Sequence, residues 1–228
     1  MTTRSAAGML TRMCAVFAVV AWCVYAFPSA WLWPVTGPTA WLVEIGCPYL
    51  TDMSVEADGI TVVARGDIAV SLSLSGGEPL PRVPGVWHKH GEQTLSIFAV
   101  VFAIWAAPTI SWRRRVALAP VAMLGAVLVA AFVLSIEIQW AALKMIGYEW
   151  LAGLPLARTA DNWKYFGQME QWFRVISWIR AFHDGGGRLF LALLAGLIGY
   201  AIPWRTHGTP SIEPRGPSTA AAQPIHAT

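Results

Sequence analysis

Four runs of apolar residues punctuate the chain: Met13–Val35, Gln93–Trp112, Val116–Ile136 and Leu189–Trp204. None contains an Asp, Glu, Lys or Arg. A helix needs roughly 20 mostly apolar residues to cross a bilayer. The first three runs reach that length and the last is shorter, so the pattern predicts four transmembrane helices. Four buried core helices would need a polar shell that the rest of the chain does not supply. A cleaved signal peptide ending at Pro28-Ser29-Ala30 is opposed by the proline three residues before the cut and by the Trp31-Leu32-Trp33-Pro34 belt after it. The first run therefore reads as an anchor, and Pro28 is predicted to kink it or end it early.

Between the first two runs, residues 36–92 read differently. Ile68, Val70, Leu72 and Leu74 alternate with Ala69, Ser71 and Ser73. That is the period-2 signature of a half-buried strand. Residues 60–65, Ile-Thr-Val-Val-Ala-Arg, precede it, and Ala57-Asp58-Gly59 is a turn signal. A small antiparallel β unit of two or three strands is expected. It has too few residues to close its own core. Arg65-Gly66-Asp67 is a turn here rather than an adhesion motif. Between the last two runs, residues 138–188 contain a stretch at 163–182 in which Phe166, Met169, Phe173, Ile176 and Ile179 recur at helical spacing. Lys164, Gln168, Gln171, Arg174 and Ser177 line another side. Such a helix suits a membrane interface, or packs on the β unit. Gly185-Gly186-Gly187 then releases the chain into the last run; it lacks the Lys and the preceding strand of a phosphate loop. Residues 205–228, rich in Pro, Ser, Thr and Ala, are expected to be disordered.

Charge orients this pattern. Each arginine costs about 2.5–3.5 kcal/mol at a membrane centre, so Arg113, Arg114 and Arg115 must form a turn between the second and third runs. The positive-inside rule places that turn at 113–115 in the cytoplasm, along with the N-terminal stretch 1–12, which carries Arg4 and Arg12. Residues 36–92 and 138–188 then lie outside, and both termini inside. The second outer segment is itself not poor in bases, with Arg158, Lys164, Arg174 and Arg180. The leading span and the short dense triplet outweigh that count.

Composition agrees with a bilayer protein. The chain of 228 residues is 56% hydrophobic and 13% charged, with 13 Trp. Soluble domains carry about 25% charged residues, and Trp collects at the water–lipid boundary. The formal charge of +3 is modest, and the only basic cluster already has a topological use, so no nucleic-acid partner is expected. Cys14 and Cys23 lie too far apart along one helix to bridge, and Cys47 has no evident mate. There is no Cys-x-x-Cys, so neither a thiol oxidoreductase nor a zinc ribbon is indicated.

Candidate chemistry is sparse, and no cofactor is expected. His88, His90 and Glu92 occupy alternate positions, and an extended segment would point all three one way. His183 and Asp184 lie at the outer start of the fourth run. Imidazole and carboxylate together hold a metal or form an acid–base pair, so these five residues are candidates for a small membrane enzyme or metal-binding protein. Interfacial histidines with no such role are the plainer reading. Glu137 and Lys144, seven residues apart at the end of the third run, form a candidate intramembrane or interfacial polar pair. Val70 and Leu72 are candidate partner-binding residues, because the apolar face of their strand needs a cover and its edges offer unpaired backbone groups. No nucleophile elbow, His-Glu-x-x-His or Ser/His/Asp order supports an enzyme.

The layout resembles that of the exosortase H-associated membrane proteins of bacteria. The resemblance covers about residues 10–204. It rests on a first span ending in Trp-Leu-Trp-Pro-Val, a short outer β segment and an apolar pair broken by Ser-Trp-Arg-Arg-Arg. A third span ending in Glu-Ile-Gln-Trp-Ala-Ala-Leu-Lys-Met-Ile and a last one ending in Ala-Ile-Pro-Trp complete it. The resemblance implies a non-enzymatic, multi-pass accessory protein of the bacterial inner membrane. Its implied partner is an exosortase, which processes C-terminal sorting signals, and it implies no catalytic residues.

Overall fold

The computed structural model describes residues 3–75, 77–107, 112–151, 154, 156 and 158–201. The tail 205–228 lies outside them. The described chain is mainly helical, with a small antiparallel sheet.

The first apolar run is divided between two helices. Helix α1 spans Thr3–Ala26 and α2 spans Pro28–Gly46. Phe27 leaves helical geometry at φ −133°, ψ 57°, and Pro28 opens α2. Proline has no N–H and fixes its own φ, so it starts a helix well and continues one badly. The two helices lie on either side of this break, and α1 packs along α3 (Glu92–Ala106). Helix α4, Trp112–Lys144, is the longest and runs on into a π-helical turn at Met145–Trp150. Helix α5 spans Ala160–Phe182 and α6 spans Arg188–Ala201; a π-helical turn at His183–Gly187 joins them. Gly186, at φ +106°, makes the kink within it, a backbone state that side chains with a Cβ rarely adopt.

The expectation of four membrane-length helices is not met. Among the described residues two helices are long and apolar enough to cross a membrane, Ala6–Ala26 and Arg115–Gly147. Helix α3 is apolar but shorter, and the described part of α6 is shorter still. The expected turn at Arg113–Arg115 is also corrected. These residues lie in the first turn of α4.

The β unit has three strands in the order β1-β2-β3, all antiparallel: β1 Leu50–Asp58, β2 Thr61–Ile68 and β3 Val83–His90. The turn at Gly59, with φ +59°, joins β1 to β2 where Ala-Asp-Gly signalled it. The strand expected over 68–74 is corrected. Residues 61–68 form one continuous strand through Gly66 and Asp67, and 69–72 run on outside any ladder. The amide of Ala69 donates to the Tyr49 carbonyl and that of Leu80 to the Leu72 carbonyl. A bulge interrupts β1 between Thr51 and Ser54. There Glu44, near the end of α2, accepts from the Met53 amide at 2.7 Å.

One core joins sheet and helices. It runs from Leu32, Val35 and Val43 of α2 through Leu50, Val62 and Ile68 of the sheet to Phe98 of α3 and Leu134 and Ile138 of α4. Helix α5 contributes Met169 and Ile176, with Phe166, Phe173 and Ile179 partly buried beside them. This is the helical stripe that the sequence predicts. Helix α6 packs closely on its neighbours. A Cβ on Gly196 would meet Ile104 of α3 at 2.8 Å, and one on Gly125 of α4 would meet Ala195 at 3.2 Å. Small residues at such contacts let the helices approach closely.

Candidate functional site

Four charged residues converge where β3, α4 and α5 meet, Lys89, Glu137, Arg180 and Asp184. Alternation along β3 exposes His88 and His90 and turns Lys89 inward. Lys89 reaches Glu137 of α4, Nζ to Oε2 at 3.6 Å. Arg180, near the end of α5, donates from Nε to Glu137 Oε1 at 2.8 Å. Asp184 stands 3.9 Å from the same nitrogen. Glu137 is thus the shared acceptor of two cations from two other elements. Its side chain is 18% exposed, against 19% for Lys89 and 30% for Arg180.

Trp140, one turn beyond Glu137, forms the floor of this arrangement. The Arg180 guanidinium carbon lies 3.8 Å from its ring centroid, Lys144 Nζ 5.5 Å and Lys89 Nζ 5.7 Å. A cation over an indole gains about 0.5–2 kcal/mol, more as water is excluded. Burial pulls the Lys89 ammonium below the usual lysine range. Glu137 opposes this, and the positive charges of Arg180 and Lys144 add to it. A cavity of about 210 Å³ opens beside the group. Lys89, His90, Glu92, Glu137 and Arg180 line its polar side, and Val133 and Leu134 its apolar side.

The proposed five-residue metal set is dispersed. His90 and Glu92 reach the cavity wall, whereas His88 lies exposed on β3. His183 is buried, 2% exposed, with Phe132 and Phe182 against its ring. Neither of its ring nitrogens has a hydrogen-bond partner. Asp184, its neighbour in sequence, is exposed. Among the described residues no three His, Cys, Asp or Glu side chains come close enough together to hold a metal ion. The structure gives Glu137 and Lys144 separate contacts. Glu137 bonds Arg180 and Lys89, and Lys144 lies over Trp140.

Val70 and Leu72 are mostly buried and line a surface cavity with Pro79, Leu80 and Arg82. They are 7% and 1% exposed. The segment that carries them is tied to the start of α5. Asn162 bonds the Ser73 backbone in both directions. Tyr165 packs edge-on against Tyr49 at 5.4 Å. Of the arginine triplet, Arg115 offers its carbonyl to the indole nitrogen of Trp105 at 3.1 Å, tying the end of α3 to the start of α4.

Searches against family models, curated proteins and solved structures returned no match. The geometry alone therefore carries the functional reading. Lys89, Trp140 and Arg180 were not among the residues singled out from the sequence. Two signals for them are present in it. Glu137, Trp140 and Lys144 fall at i, i+3 and i+7, which is one helix face. Lys89 occupies the opposite phase of the alternation that exposes His88 and His90.

Proposed function

We propose that this chain is a non-enzymatic integral membrane accessory protein that binds a second membrane protein. One observation carries the proposal: only 6% of the apolar stretch Ala6–Ala26 is buried within the chain. Phe17, Val19, Trp22 and Tyr25 stand exposed along it. An apolar patch of that size on a lone soluble domain would be an aggregation surface. Lipid or a membrane partner is the natural cover. The exposed Trp33, Trp163 and Trp178 add the aromatic residues favoured at a bilayer boundary.

Helices α1 and α4 would then span the bilayer. The shorter α3 and α6, packed against them, would carry the chain back through the same layer. The sheet and α5 would form an outer cap, with both termini in the cytoplasm of a bacterial inner membrane. The resemblance noted above makes an exosortase-type enzyme the partner to test. With Val70 and Leu72 mostly buried, the docking surface passes to α1. The dispersed histidines give a metal enzyme no comparable support.

Two experiments test this reading. Reporter fusions after residue 114 should report cytoplasm, and those near residues 75 and 160 the far side. A far-side signal at 114 defeats the orientation. For the partner, α1 would be replaced by an unrelated apolar helix of equal length, and co-purification with the exosortase measured. Loss of the complex, with membrane insertion retained, supports docking through α1. A complex that survives the exchange reduces α1 to an anchor.

A further inference from the structure

A second cavity, of about 220 Å³, lies between α2, α4 and α5, apart from the charged group. Ile136 and Gln139 of α4, Trp172, Ile176 and Ile179 of α5 and Leu42 of α2 form much of its wall. The three α5 residues fall at i, i+4 and i+7, which is one helix face. Among the described residues no Asp, Glu, Lys, Arg or His lines this cavity. It meets the surface beside Ile45 and Val175, which are both exposed.

Two side chains of this uncharged wall each leave a polar atom without a partner. Gln139 is 3% exposed, and its Oε1 has no hydrogen-bond partner. The indole Nε1 of Trp172 is likewise buried and unpartnered. The first is an acceptor and the second a donor. Buried groups left in this way are costly, and a folded chain keeps few of them. Ser135, also on the wall, donates its hydroxyl proton to the Phe132 carbonyl at 2.8 Å and so does not serve Gln139. The Gln139 carboxamide is free to turn at small cost. It is the far end of a flexible side chain, and it rests against Gly46, where a Cβ would stand 2.8 Å from Nε2.

This wall selects its ligand in three ways. It opposes charge, because an ion would lose its water there without gaining a counter-ion. It favours a hydroxyl, which accepts from the indole and donates to the carboxamide, whereas an ether or ester oxygen only accepts. Its remaining surface favours hydrocarbon. We propose that this cavity binds an uncharged lipid alcohol, with the hydroxyl between Trp172 Nε1 and Gln139 Oε1 and the chain along Ile136, Ile176 and Ile179. The chain leaves past Ile45 and Val175. Both polar atoms lie just beneath the cavity surface, and a turn of the carboxamide opens them to the hydroxyl. The site goes beyond the docking role. It rests on the membrane reading only for the source of the alcohol, which is diacylglycerol in the bilayer or a free fatty alcohol.

The test uses the full chain in phosphatidylcholine vesicles, because that headgroup carries no hydroxyl. A long-chain alcohol with a photoreactive diazirine near its hydroxyl is compared with its methyl ether, and labelled peptides are counted by mass spectrometry. The alcohol should label residues 132–139 or 172–179 several-fold more than the ether does. Gln139→Leu and Trp172→Phe should each bring labelling down to the level of the ether. Trp178→Phe, at an exposed position of α5, should preserve it. Without the alcohol, the thermal midpoint of Gln139→Leu should hold or rise, because a buried group without a partner has been removed. Should either variant fail to accumulate, Gly46→Ala displaces the carboxamide without altering Gln139; it should lower labelling several-fold, and unchanged labelling there overturns the proposal. Competition by unlabelled diacylglycerol supports the site and assigns its alcohol to the bilayer. Competition by dodecanol alone supports the site and assigns it to a free fatty alcohol. Equal labelling by alcohol and ether, or labelling that persists in both Gln139→Leu and Trp172→Phe, overturns the proposal. Failure here leaves the fusion and exchange experiments on membrane docking untouched.

Discussion

Asn162 and Ser73 exchange two hydrogen bonds. The Ser73 amide donates to Oδ1 at 3.2 Å, and Nδ2 donates to the Ser73 carbonyl at 3.0 Å. One carboxamide thus does for Ser73 what a neighbouring strand would do. It also pins the start of α5 to the segment that carries Val70 and Leu72. Asn162→Leu removes both partners at a site where Asn162 is buried. Leaving such backbone groups unsatisfied costs about 1–3 kcal/mol each. The thermal midpoint in detergent should fall clearly, and limited proteolysis should open first within 69–82. An unchanged midpoint would mean that α5 is held by its apolar stripe alone.

Glu137 and Glu170 should behave differently on neutralisation. Glu137→Gln leaves two poorly exposed cations without their carboxylate, and breaking such a pair costs about 3 kcal/mol or more. Glu170→Gln breaks the Arg174 pair, whose side chains are 71% and 63% exposed; it should cost within about 0.5 kcal/mol. Chemical or thermal unfolding of the two variants side by side measures the contrast.

Two glycine substitutions should have opposite signs. At Gly196 a new Cβ lies 2.8–2.9 Å from Ile104 Cγ2 and Cβ, so the α3–α6 contact must shift. Overpacking of this kind costs about 1–3 kcal/mol. At Gly167, inside α5, nothing stands within 4 Å. Gly167→Ala should stabilise by about 0.5–1 kcal/mol through helix propensity. Midpoints moving in the same direction would contradict this packing of α6.

Cys47 is fully buried, and burial pushes its thiol up from 9.0 to about 11, against the opposing backbone bonds of Tyr49 and Leu50. A group whose folded value is raised contributes its stability in full below the unfolded value. That contribution is lost as pH rises toward the folded value. Wild type should therefore lose stability between about pH 9 and 11 relative to Cys47→Ala, measured as the difference in thermal midpoint across that range.

The sequence was most informative where one local rule governs. Proline breaks at Pro28, glycine turns at Gly59, and the 3.6-residue stripe of α5 all appear where pattern places them. It was least informative where partners are distant. Strand β3, which the sequence pattern does not mark, contains Pro84 and Gly85; an edge strand tolerates a proline because one side of it needs no ladder. Alternation at 68–74 reports burial on one face, but says nothing of which backbone groups pair. The charged site needed three elements to meet, and no spacing within any one of them encodes Arg180 beside Glu137. The membrane-length signal was overcounted because apolar runs do not mark where helices end. The first run crosses the Phe27 break, and α3 ends at Ala106.

Helix α4 works as a ruler. Its arginine triplet and its Glu137 lie on one continuous rod, about 35 Å apart at about 1.5 Å per residue. A bilayer's hydrocarbon layer is about 30 Å thick. In the proposed membrane placement a single helix would set both graduations: the cations in one aqueous phase and the acceptor that gathers Lys89 and Arg180 near the other. The height of the charged group above the lipid would then be fixed by residue count alone, independent of how the cap folds. Adding or removing a turn between residues 117 and 136 would raise the group into water or draw it into the acyl chains. The sheet and α5, bonded to that rod through Lys89 and Arg180, would have to move with it.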